Sequence, residues 1–177
     1  KKIKDLTYLE ILIKRLKKAK KVDKIIVACT KSPEDKKIIN LCKKLNVNVF
    51  LGSTNNVLKR FFDAATKYKI KNIIRITSDC PLIDPIILDK MIYCFIEKNV
   101  DYISNICPPT FPDGLDVEIF NYKSLNIANK EANSFFDREH VTPYIKKSKI
   151  LKKYNYRYNK NYSFLRLTLD EENDHKL

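Results

Sequence analysis

The stretch that decides the fold runs from residue 72 to residue 84 and reads Asn-Ile-Ile-Arg-Ile-Thr-Ser-Asp-Cys-Pro-Leu-Ile-Asp. Its first part, Ile73–Thr77, is short and rich in β-branched side chains, which is the composition of a buried strand. The strand has to end before Pro81, because proline has no backbone N–H to donate to a neighbouring strand. Asp79 is therefore predicted to follow the carboxyl end of a central strand.

Asp79 has two interpretations. In open α/β sheets, ligands bind at the carboxyl ends of the strands. A carboxylate there suits a magnesium ion that carries nucleotide phosphates, because magnesium is usually held by a few protein carboxylates together with phosphate oxygens. The alternative is that Asp79 only caps the turn. The residues alone leave both interpretations open.

The chain before this stretch alternates between helical and strand patterns. Apolar residues at helical spacing predict an amphipathic helix over residues 6–20, and β-branched runs predict strands at 24–29 and 47–51. Helix starts are predicted at Ser32-Pro33, at Val57 and at Asp84-Pro85. The alternation predicts an α/β fold with a mostly parallel sheet, flanked by helices and joined by right-handed crossovers.

The pattern changes after residue 100. Strands are predicted at 102–104 and at 116–120, and the second alternates with period two, as a half-buried strand does. The proline-rich segment 108–114 is predicted to be a loop. Helices at 122–133 and 137–147 and a last strand at 162–169 complete the chain. The second half therefore inserts an irregular lobe before the chain returns to the sheet.

The length and composition are those of an ordinary globular domain and not those of a membrane or secreted protein. At 177 residues the sequence fits one domain with a hydrophobic core. No apolar run approaches the roughly 20 residues of a membrane span, and no signal peptide is visible. The cysteines lack metal-type spacing, so we predict reduced thiols in a cytoplasmic protein. The five are Cys29, Cys42, Cys80, Cys94 and Cys107.

The charge balance favours anionic partners. Lysine and arginine number 35 against 21 acids, a net charge of +14, and such a field attracts nucleotides, phosphates or nucleic acid. The eight basic residues between His140 and Leu169 interleave with five tyrosines and no acid, a pattern that can bind single-stranded nucleic acid. We favour the alternative of lysines scattered over solvated faces by a compositional bias, and we do not expect nucleic acid to be a partner.

Asp170 is the second candidate site residue. It follows Leu165–Leu169, which reads as another strand, so it too is predicted at a strand end. If the two strands are parallel neighbours, Asp79 and Asp170 face the same crevice. Two carboxylates at one metal–phosphate site suit phosphoryl or nucleotidyl transfer. The alternative is that residues 170–174 cap a following helix.

Two further segments carry candidate residues. Gly52 and Ser53 end a strand and lead into a helix, where backbone N–H groups can bind an anion or a base. An ordinary turn is the simpler interpretation, and Arg60 would then project to solvent. In the second segment, Gly114 indicates a tight turn that needs positive φ. Asp116 and Glu118 alternate along their strand and so share a face, where they are either solvated or serve a ligand.

Several stretches together resemble the cytidylyltransferase family of sugar-acid activating enzymes, in its spore-coat polysaccharide biosynthesis protein F branch. The resemblance covers nearly the whole chain. Its most specific parts are Thr77-Ser-Asp-Cys-Pro-Leu-Ile-Asp84, Pro112-Asp-Gly-Leu-Asp-Val-Glu118 and Arg138-Glu-His-Val-Thr-Pro-Tyr144. The resemblance implies a Rossmann-like nucleotide-diphospho-sugar transferase fold. It also implies transfer of CMP from CTP to an acidic sugar, with magnesium as cofactor and release of pyrophosphate.

The resemblance also implies roles for individual residues. Asp79 and Asp170 match the two metal-site aspartates and would be the catalytic pair. Gly52, Ser53 and Arg60, with Asp79, fall near the nucleotide. The residues expected to contact the acceptor sugar are Asp113, Asp116, Glu118 and Arg138.

Two departures and two rival functions accompany this resemblance. The family begins with a strand and a basic phosphate loop that the sequence lacks before Lys1, so we expect a single domain, 1–177, that is cropped at both ends. Asn56 stands where an aspartate is common in this branch.

The first rival is a non-catalytic or glycosyltransferase-like nucleotide-sugar-binding protein, and the second is a nucleic-acid-binding protein. Relatives are often dimers, so a homodimer is expected as an additional partner state.

Overall fold

The computed structural model describes residues 2–3, 5–171 and 173–175, so Lys1 and Leu177, the ends of the predicted domain, lie outside the described residues. Helices and strands alternate along the chain. The strands are β1 (Lys2–Ile3), β2 (Leu6–Thr7), β3 (Ile26–Thr30), β4 (Asn48–Gly52), β5 (Asn72–Arg75), β6 (Tyr102–Ser104), β7 (Glu118–Asn121) and β8 (Lys153–Asn155). The α-helices are α1 (Tyr8–Leu16), α2 (Lys36–Lys44), α3 (Val57–Lys67), α4 (Pro85–Glu97), α5 (Tyr122–Glu131), α6 (Phe135–His140) and α7 (Pro143–Lys147). Short 3₁₀ helices cover Pro33–Asp35 and Asn173–His175.

The chain forms two compact units. The first comprises residues 1–23, 74–119 and 154–177, and the second comprises residues 24–73 and 120–153. A four-stranded sheet has the order β5-β7-β6-β8, and residues of all four strands belong to the first unit. β5 lies at one end of this sheet, so the prediction of a central strand is wrong for the described residues. Its neighbour is β7, and β3 and β4 form a separate two-stranded sheet.

The first unit has a continuous apolar core. In this core α1 and α4 pack against the sheet, and the residues that form it are buried aliphatic and aromatic side chains. They include Leu12, Ile83, Leu88, Met91, Phe95, Ile103, Val117 and Ile119. Burial of such side chains is the main stabilising term, at about 1.5–3 kcal/mol for each large one. This core fixes the end of β5 and the segments that follow it.

The opening of the chain differs from the predicted helix over 6–20. β1 and β2 pair antiparallel, and α1 begins only at Tyr8. Thr7 is its N-cap, because its Oγ1 accepts the Glu10 N–H at 3.2 Å while the Glu10 carboxylate accepts the Thr7 N–H at 3.3 Å. This capping box defines the helix start more strongly than the apolar spacing of Leu6 does.

The second unit follows the predicted alternation. β3 and β4 are parallel, with Ile26 opposite Asn48 and Thr30 opposite Gly52. Ser32 is the N-cap of the predicted start, although its first turn is a 3₁₀ helix. Asn56 caps α3 by accepting the Lys59 N–H at 2.8 Å. The residue that departs from the branch pattern therefore has a local structural role here.

The predicted helix over 137–147 is divided in two. α6 begins earlier, at Phe135, and ends at His140, and α7 begins at Pro143. Between them Val141 has φ +72°, and the Thr142 N–H donates to the His140 carbonyl at 2.8 Å. This is a tight γ-turn that a buried β-branched residue rarely adopts. Pro143 is the local reason, because it has no backbone N–H to donate to the Glu139 carbonyl and so cannot continue α6.

Two strand predictions in the second half also need correction. Residues 162–169 do not form a strand, and apart from an isolated bridge between Asp113 and Arg166 they follow an irregular path. The last strand of the sheet is instead β8, which the sequence reading missed. In addition, residues 117–120 are all buried, so β7 is not half-exposed. Its period-two pattern reflects alternating polar groups that the fold encloses.

The described residues contain free cysteines only, which agrees with the expectation of reduced thiols. Cys29, Cys42, Cys80 and Cys94 are buried, and Cys107 is exposed. Burial raises the pKa of the Cys80 thiol to about 12. Among the described residues, no helix has the length and apolar character required to cross a membrane.

Candidate functional site

Asp79 lies in the turn that follows β5 in the first unit. The chain leaves the sheet after Arg75 and turns back where the Cys80 N–H donates to the Thr77 carbonyl at 3.2 Å. The Asp79 carbonyl accepts two hydrogen bonds, from the Leu169 N–H at 2.8 Å and from the Thr168 hydroxyl at 3.1 Å. The backbone that carries the half-buried Asp79 side chain is therefore fixed by hydrogen bonds from Thr168 and Leu169.

These hydrogen bonds bring the two predicted metal-site aspartates onto adjoining segments. Leu169, which donates to Asp79, is the residue directly before Asp170. Asp170 is exposed, and its N–H donates to Asp174 Oδ2 at 2.9 Å. The cap of this turn is thus Asp174, which leaves the Asp170 carboxylate outside the capping interaction. The two aspartates thus lie on adjoining segments although no strand precedes Asp170, and a metal site shared by their carboxylates stays a prediction.

Asp113 and Gly114 lie beside the same irregular segment. The Asp113 N–H donates to the Leu165 carbonyl at 2.9 Å, and the Leu167 N–H donates to the Asp113 carbonyl at 2.7 Å. Gly114 has φ +97°, and a Cβ there would lie 2.4 Å from the Thr168 nitrogen. Glycine is needed both for this positive φ, as predicted, and for the close approach of the two backbones.

Arg166 pairs with two carboxylates in this region. Its Nη1 lies 2.9 Å from Asp113 Oδ2, and its Nε and Nη2 lie 2.9 and 3.0 Å from the two oxygens of Asp174. The guanidinium holds the pKa of Asp174 well below its usual range. The sequence pattern shows Arg166 only as one of many basic residues, because the partners of its side chain are eight and 53 residues away.

Asp116 completes an acidic region with Asp79 and Asp113. Burial, together with the charges of Asp113, Glu118 and Asp79, raises the pKa of its carboxyl to about 6. The four carboxylates therefore influence each other through space. Such a field favours a cationic or metal-bound group between them and disfavours an additional bare anion.

Glu118 has a different environment from the one predicted. Its side chain is 2% exposed, and it accepts hydrogen bonds of 2.6 Å from Arg75 Nη1 and from the Tyr102 hydroxyl. Burial, then the charge of Glu118, raises the pKa of Tyr102 well above its usual range. A group enclosed in this way cannot meet an acceptor sugar, so we correct its role to a structural one that joins β5, β6 and β7.

The burial of Asp116 gives a prediction about pH. Because its folded-state pKa lies near 6 and its ordinary pKa is 3.8, protonation of Asp116 favours the folded state. That stability is fully present below about pH 3.8 and is lost as the pH rises through 6. The melting temperature of Asp116→Asn, relative to wild type, is therefore expected to rise between pH 4 and pH 7. A difference that stays constant over this range in a thermal-unfolding series would contradict the assignment.

The second unit holds three of the residues predicted near the nucleotide, Gly52, Ser53 and Arg60. Arg60 does not project to solvent. It is half-buried, and its Nη1 donates to the Ser53 carbonyl at 2.7 Å. The Ser53 hydroxyl accepts the Asn56 N–H at 3.1 Å. A Cβ on Gly52 would lie 2.6 Å from Arg60 Cγ. Glycine at position 52 therefore lets Arg60 fold back over the turn, where it holds the turn in place.

Arg138 also has an internal partner in the second unit. Its Nη1 donates to the Asn129 carbonyl at 3.0 Å, so it ties α6 to α5. His140 is exposed and packs on Phe136 with ring centroids 4.5 Å apart. The geometry gives Arg138 a function in helix packing, and the expected contact with an acceptor sugar stays a prediction from the resemblance.

The described residues contain no group of three or more histidine, cysteine, aspartate or glutamate side chains arranged to hold a metal ion. The pair Asp79 and Asp170 supplies two carboxylates on adjoining segments. Magnesium commonly uses about one or two carboxylates and takes its other oxygens from phosphate and water. The donor chemistry of the pair therefore fits magnesium that arrives with a nucleotide.

The fold and these carboxylates define an α/β protein with a candidate phosphate-binding edge beside β5. The sequence matches the family described as cytidylyltransferase over residues 1–171. The chain belongs to the cytidylyltransferase family, as the sequence resemblance predicted.

Two curated relatives show how far this similarity extends. The chain is 42% identical over 179 residues to the uncharacterized protein MJ1063 of Methanocaldococcus jannaschii, covering 99% of this chain and 72% of that protein. It is 32% identical over 143 residues to the spore coat polysaccharide biosynthesis protein SpsF of Bacillus subtilis, covering 78% of this chain and 58% of that protein. The chain thus spans only part of each relative.

Solved structures confirm the predicted α/β nucleotidyltransferase-like fold. A cytidylyltransferase from Leptospira borgpetersenii superposes with a TM-score of 0.93 at 35% identity, covering 97% of this chain and 73% of that one. CMP:2-keto-3-deoxy-manno-octonic acid synthetase, solved with CTP, gives a TM-score of 0.63 at 9% identity, covering 85% and 79%. 4-diphosphocytidyl-2C-methyl-D-erythritol synthase from Anaerococcus prevotii gives 0.63 at 14%, covering 99% and 86%. The last two likenesses show the fold alone.

Proposed function

We propose that this chain is a magnesium-dependent cytidylyltransferase that transfers CMP from CTP to an acidic sugar for surface polysaccharide biosynthesis. Membership of the family supports the use of CTP, and the likeness to SpsF supports the polysaccharide context. The single observation that carries the proposal is the hydrogen bond from the Leu169 N–H to the Asp79 carbonyl at 2.8 Å. It places Asp79 and Asp170 on adjoining segments.

The proposed reaction is an in-line displacement at phosphorus. An oxygen of the acceptor forms a bond to the α-phosphorus of CTP, and the bond from that phosphorus to the bridging oxygen of the β-phosphate breaks. Pyrophosphate leaves with the bonding electrons, and the acceptor's hydroxyl proton passes to solvent or to a nearby carboxylate. Asp79 and Asp170 would hold magnesium, which supplies positive charge to the triphosphate when it is bound.

The remaining residues divide into contacts and supports. Asp113 and Asp116 are proposed to lie near the acceptor, since both belong to the acidic region around Asp79. Gly52 and Ser53 are proposed to contact the nucleotide through their turn, and Arg60 to hold that turn in shape. Two alternatives predicted from the sequence, a nucleotide-sugar-binding protein without catalysis and a nucleic-acid-binding protein, would give different outcomes in the experiment below.

The proposal is tested on the complete gene product by thermal unfolding with CTP, UTP, ATP and GTP, each with and without magnesium. Ligand at about 100 times its dissociation constant adds roughly 2.7 kcal/mol of stability. A rise in melting temperature with CTP that magnesium enlarges, followed by pyrophosphate release with an acidic sugar, is the expected result. Stabilisation by CTP without pyrophosphate release from any acid would favour the non-catalytic protein. No response to any nucleotide would contradict the proposal.

A further inference from the structure

The side chain of Arg166 connects two carboxylates that come from distant parts of the first unit. Its Nη1 contacts Asp113 Oδ2 at 2.9 Å. Its Nε and Nη2 contact the two oxygens of Asp174 in a bidentate arrangement, at 2.9 and 3.0 Å. Such paired N–H···O bonds fix the orientation of both groups. We call Arg166, Asp113 and Asp174 the arginine clasp.

Asp174 extends the arginine clasp to the backbone of Asp170. Its Oδ2 accepts the N–H groups of Asp170 at 2.9 Å and of Glu171 at 2.7 Å. Asp174 is only 9% exposed, so its carboxylate is held away from solvent at a defined position. The orientation of the turn that carries Asp170 therefore depends on the Arg166 guanidinium.

The other end of the arginine clasp is held by backbone hydrogen bonds. Asp113 exchanges them with Leu165 and Leu167 at 2.9 and 2.7 Å. Two residues further on, the Leu169 N–H donates to the Asp79 carbonyl. The arginine clasp thus lies beside residues 165–169, which are hydrogen-bonded to Asp113 and to Asp79 and lead directly into Asp170.

We propose that Arg166 is a positioning residue for the metal–nucleotide site, acting through Asp174 on Asp170. The inference rests on the proposed function, because it assigns Asp170 to the metal. Groups that orient a metal ligand by hydrogen bonds, without contacting the metal, typically contribute about 10–100-fold to metal affinity or activity. Arg166 itself reaches Asp113 and Asp174 and needs no contact with substrate for this role.

A lysine at position 166 separates this role from simple charge neutralisation. Lysine retains the positive charge beside Asp113 but cannot form the bidentate contact with Asp174. Arg166→Lys should therefore lose affinity for the metal and nucleotide if the orientation of Asp174 matters. It should keep that affinity if only the positive charge matters. Asp174→Asn weakens the same contact from its other side. Lys14→Gln, which removes an exposed ion pair of α1 with a 4.0 Å separation, is the matched control.

The test combines two measurements on the complete protein. Hydrogen exchange without ligand is expected to accelerate at the Asp170 and Glu171 amides in Arg166→Lys and Asp174→Asn. Calorimetric titration with CTP in the presence of Mn²⁺ is expected to give a dissociation constant about 10–100-fold higher than wild type, whereas CTP affinity in EDTA is unchanged. In turnover assays kcat should fall, and the Mg²⁺ concentration that gives the half-maximal rate should rise.

The outcomes distinguish the clasp from the function on which it rests. Unchanged exchange at 170–171, or faster exchange with wild-type affinity for CTP and Mn²⁺, would overturn the positioning role and leave the proposed function intact. An equal loss in Lys14→Gln would also overturn it, because the effect would then be general. Wild-type protein that fails to bind CTP with either metal would overturn the proposed function and this inference together.

Discussion

Asp79→Asn is expected to lower kcat of the complete enzyme by about a thousand-fold, which corresponds to roughly 4 kcal/mol of transition-state stabilisation. The reason is that Asp79 is one of two carboxylates placed to hold magnesium on the triphosphate, and a catalytic metal supplies several kcal/mol of charge stabilisation. Asparagine retains the main-chain carbonyl that accepts from Leu169 and Thr168. The fold around the turn should therefore persist.

The measurement is steady-state pyrophosphate release at saturating CTP and acceptor, with the melting temperature of each variant recorded in parallel. Asp63→Asn is the matched control, because its carboxylate forms an exposed pair with Lys59 on α3 at 2.7 Å. That variant should keep the wild-type rate within about twofold. An Asp79→Asn enzyme that retains a tenth or more of wild-type kcat would contradict the assignment of Asp79 to the metal.

Glu118→Gln is expected to lower the free energy of unfolding by about 3–5 kcal/mol. The substitution removes the charge partner of Arg75, whose side chain is 19% exposed, and leaves that guanidinium enclosed without compensation. It also changes the group that accepts from the Tyr102 hydroxyl. Removing one member of a buried ion pair costs much more than the pair contributes, because the remaining charge keeps its desolvation penalty.

Urea unfolding measures this effect through the linear dependence of stability on denaturant. Lys59→Gln, which removes an exposed ion pair, should change stability by less than about 0.5 kcal/mol. Replacing the whole network with apolar groups, as Arg75→Met, Glu118→Leu and Tyr102→Phe together, should recover most of the loss. A Glu118→Gln protein within about 1 kcal/mol of wild type would show that the network is not a stability element.

The helix starts of this protein are largely local events. Ser32, Asn56 and Asp84 each accept backbone N–H groups two or three residues further along the chain. Such bonds need no tertiary partner, so residue type and spacing predict them. Gly114 is similar, since a turn that requires positive φ favours glycine whatever packs on it. The α/β alternation that indicates the fold class combines such local signals with the apolar spacing within each helix and strand.

The roles of the charged residues depend on partners that are remote in sequence. Arg75 and Glu118 are 43 residues apart, and the Thr168 hydroxyl meets the Asp79 carbonyl across 89 residues. The sequence pattern of a strand with alternating carboxylates is the same whether those carboxylates face solvent or an arginine. The pattern therefore leaves the role of Glu118 open and only the resemblance assigns it to a ligand, although the fold encloses it.

The sequence by itself determined the family, the alternation of helices and strands in the first hundred residues, and Asp79 and Asp170 as candidates. Only the tertiary structure decided that Arg60 folds over its own turn, that residues 162–169 follow an irregular path and that Arg166 joins Asp113 to Asp174. The physical reason is that local hydrogen bonds form wherever spacing allows. The long-range pairs form only after the core brings their segments together, because loop closure and desolvation must first be offset by apolar burial.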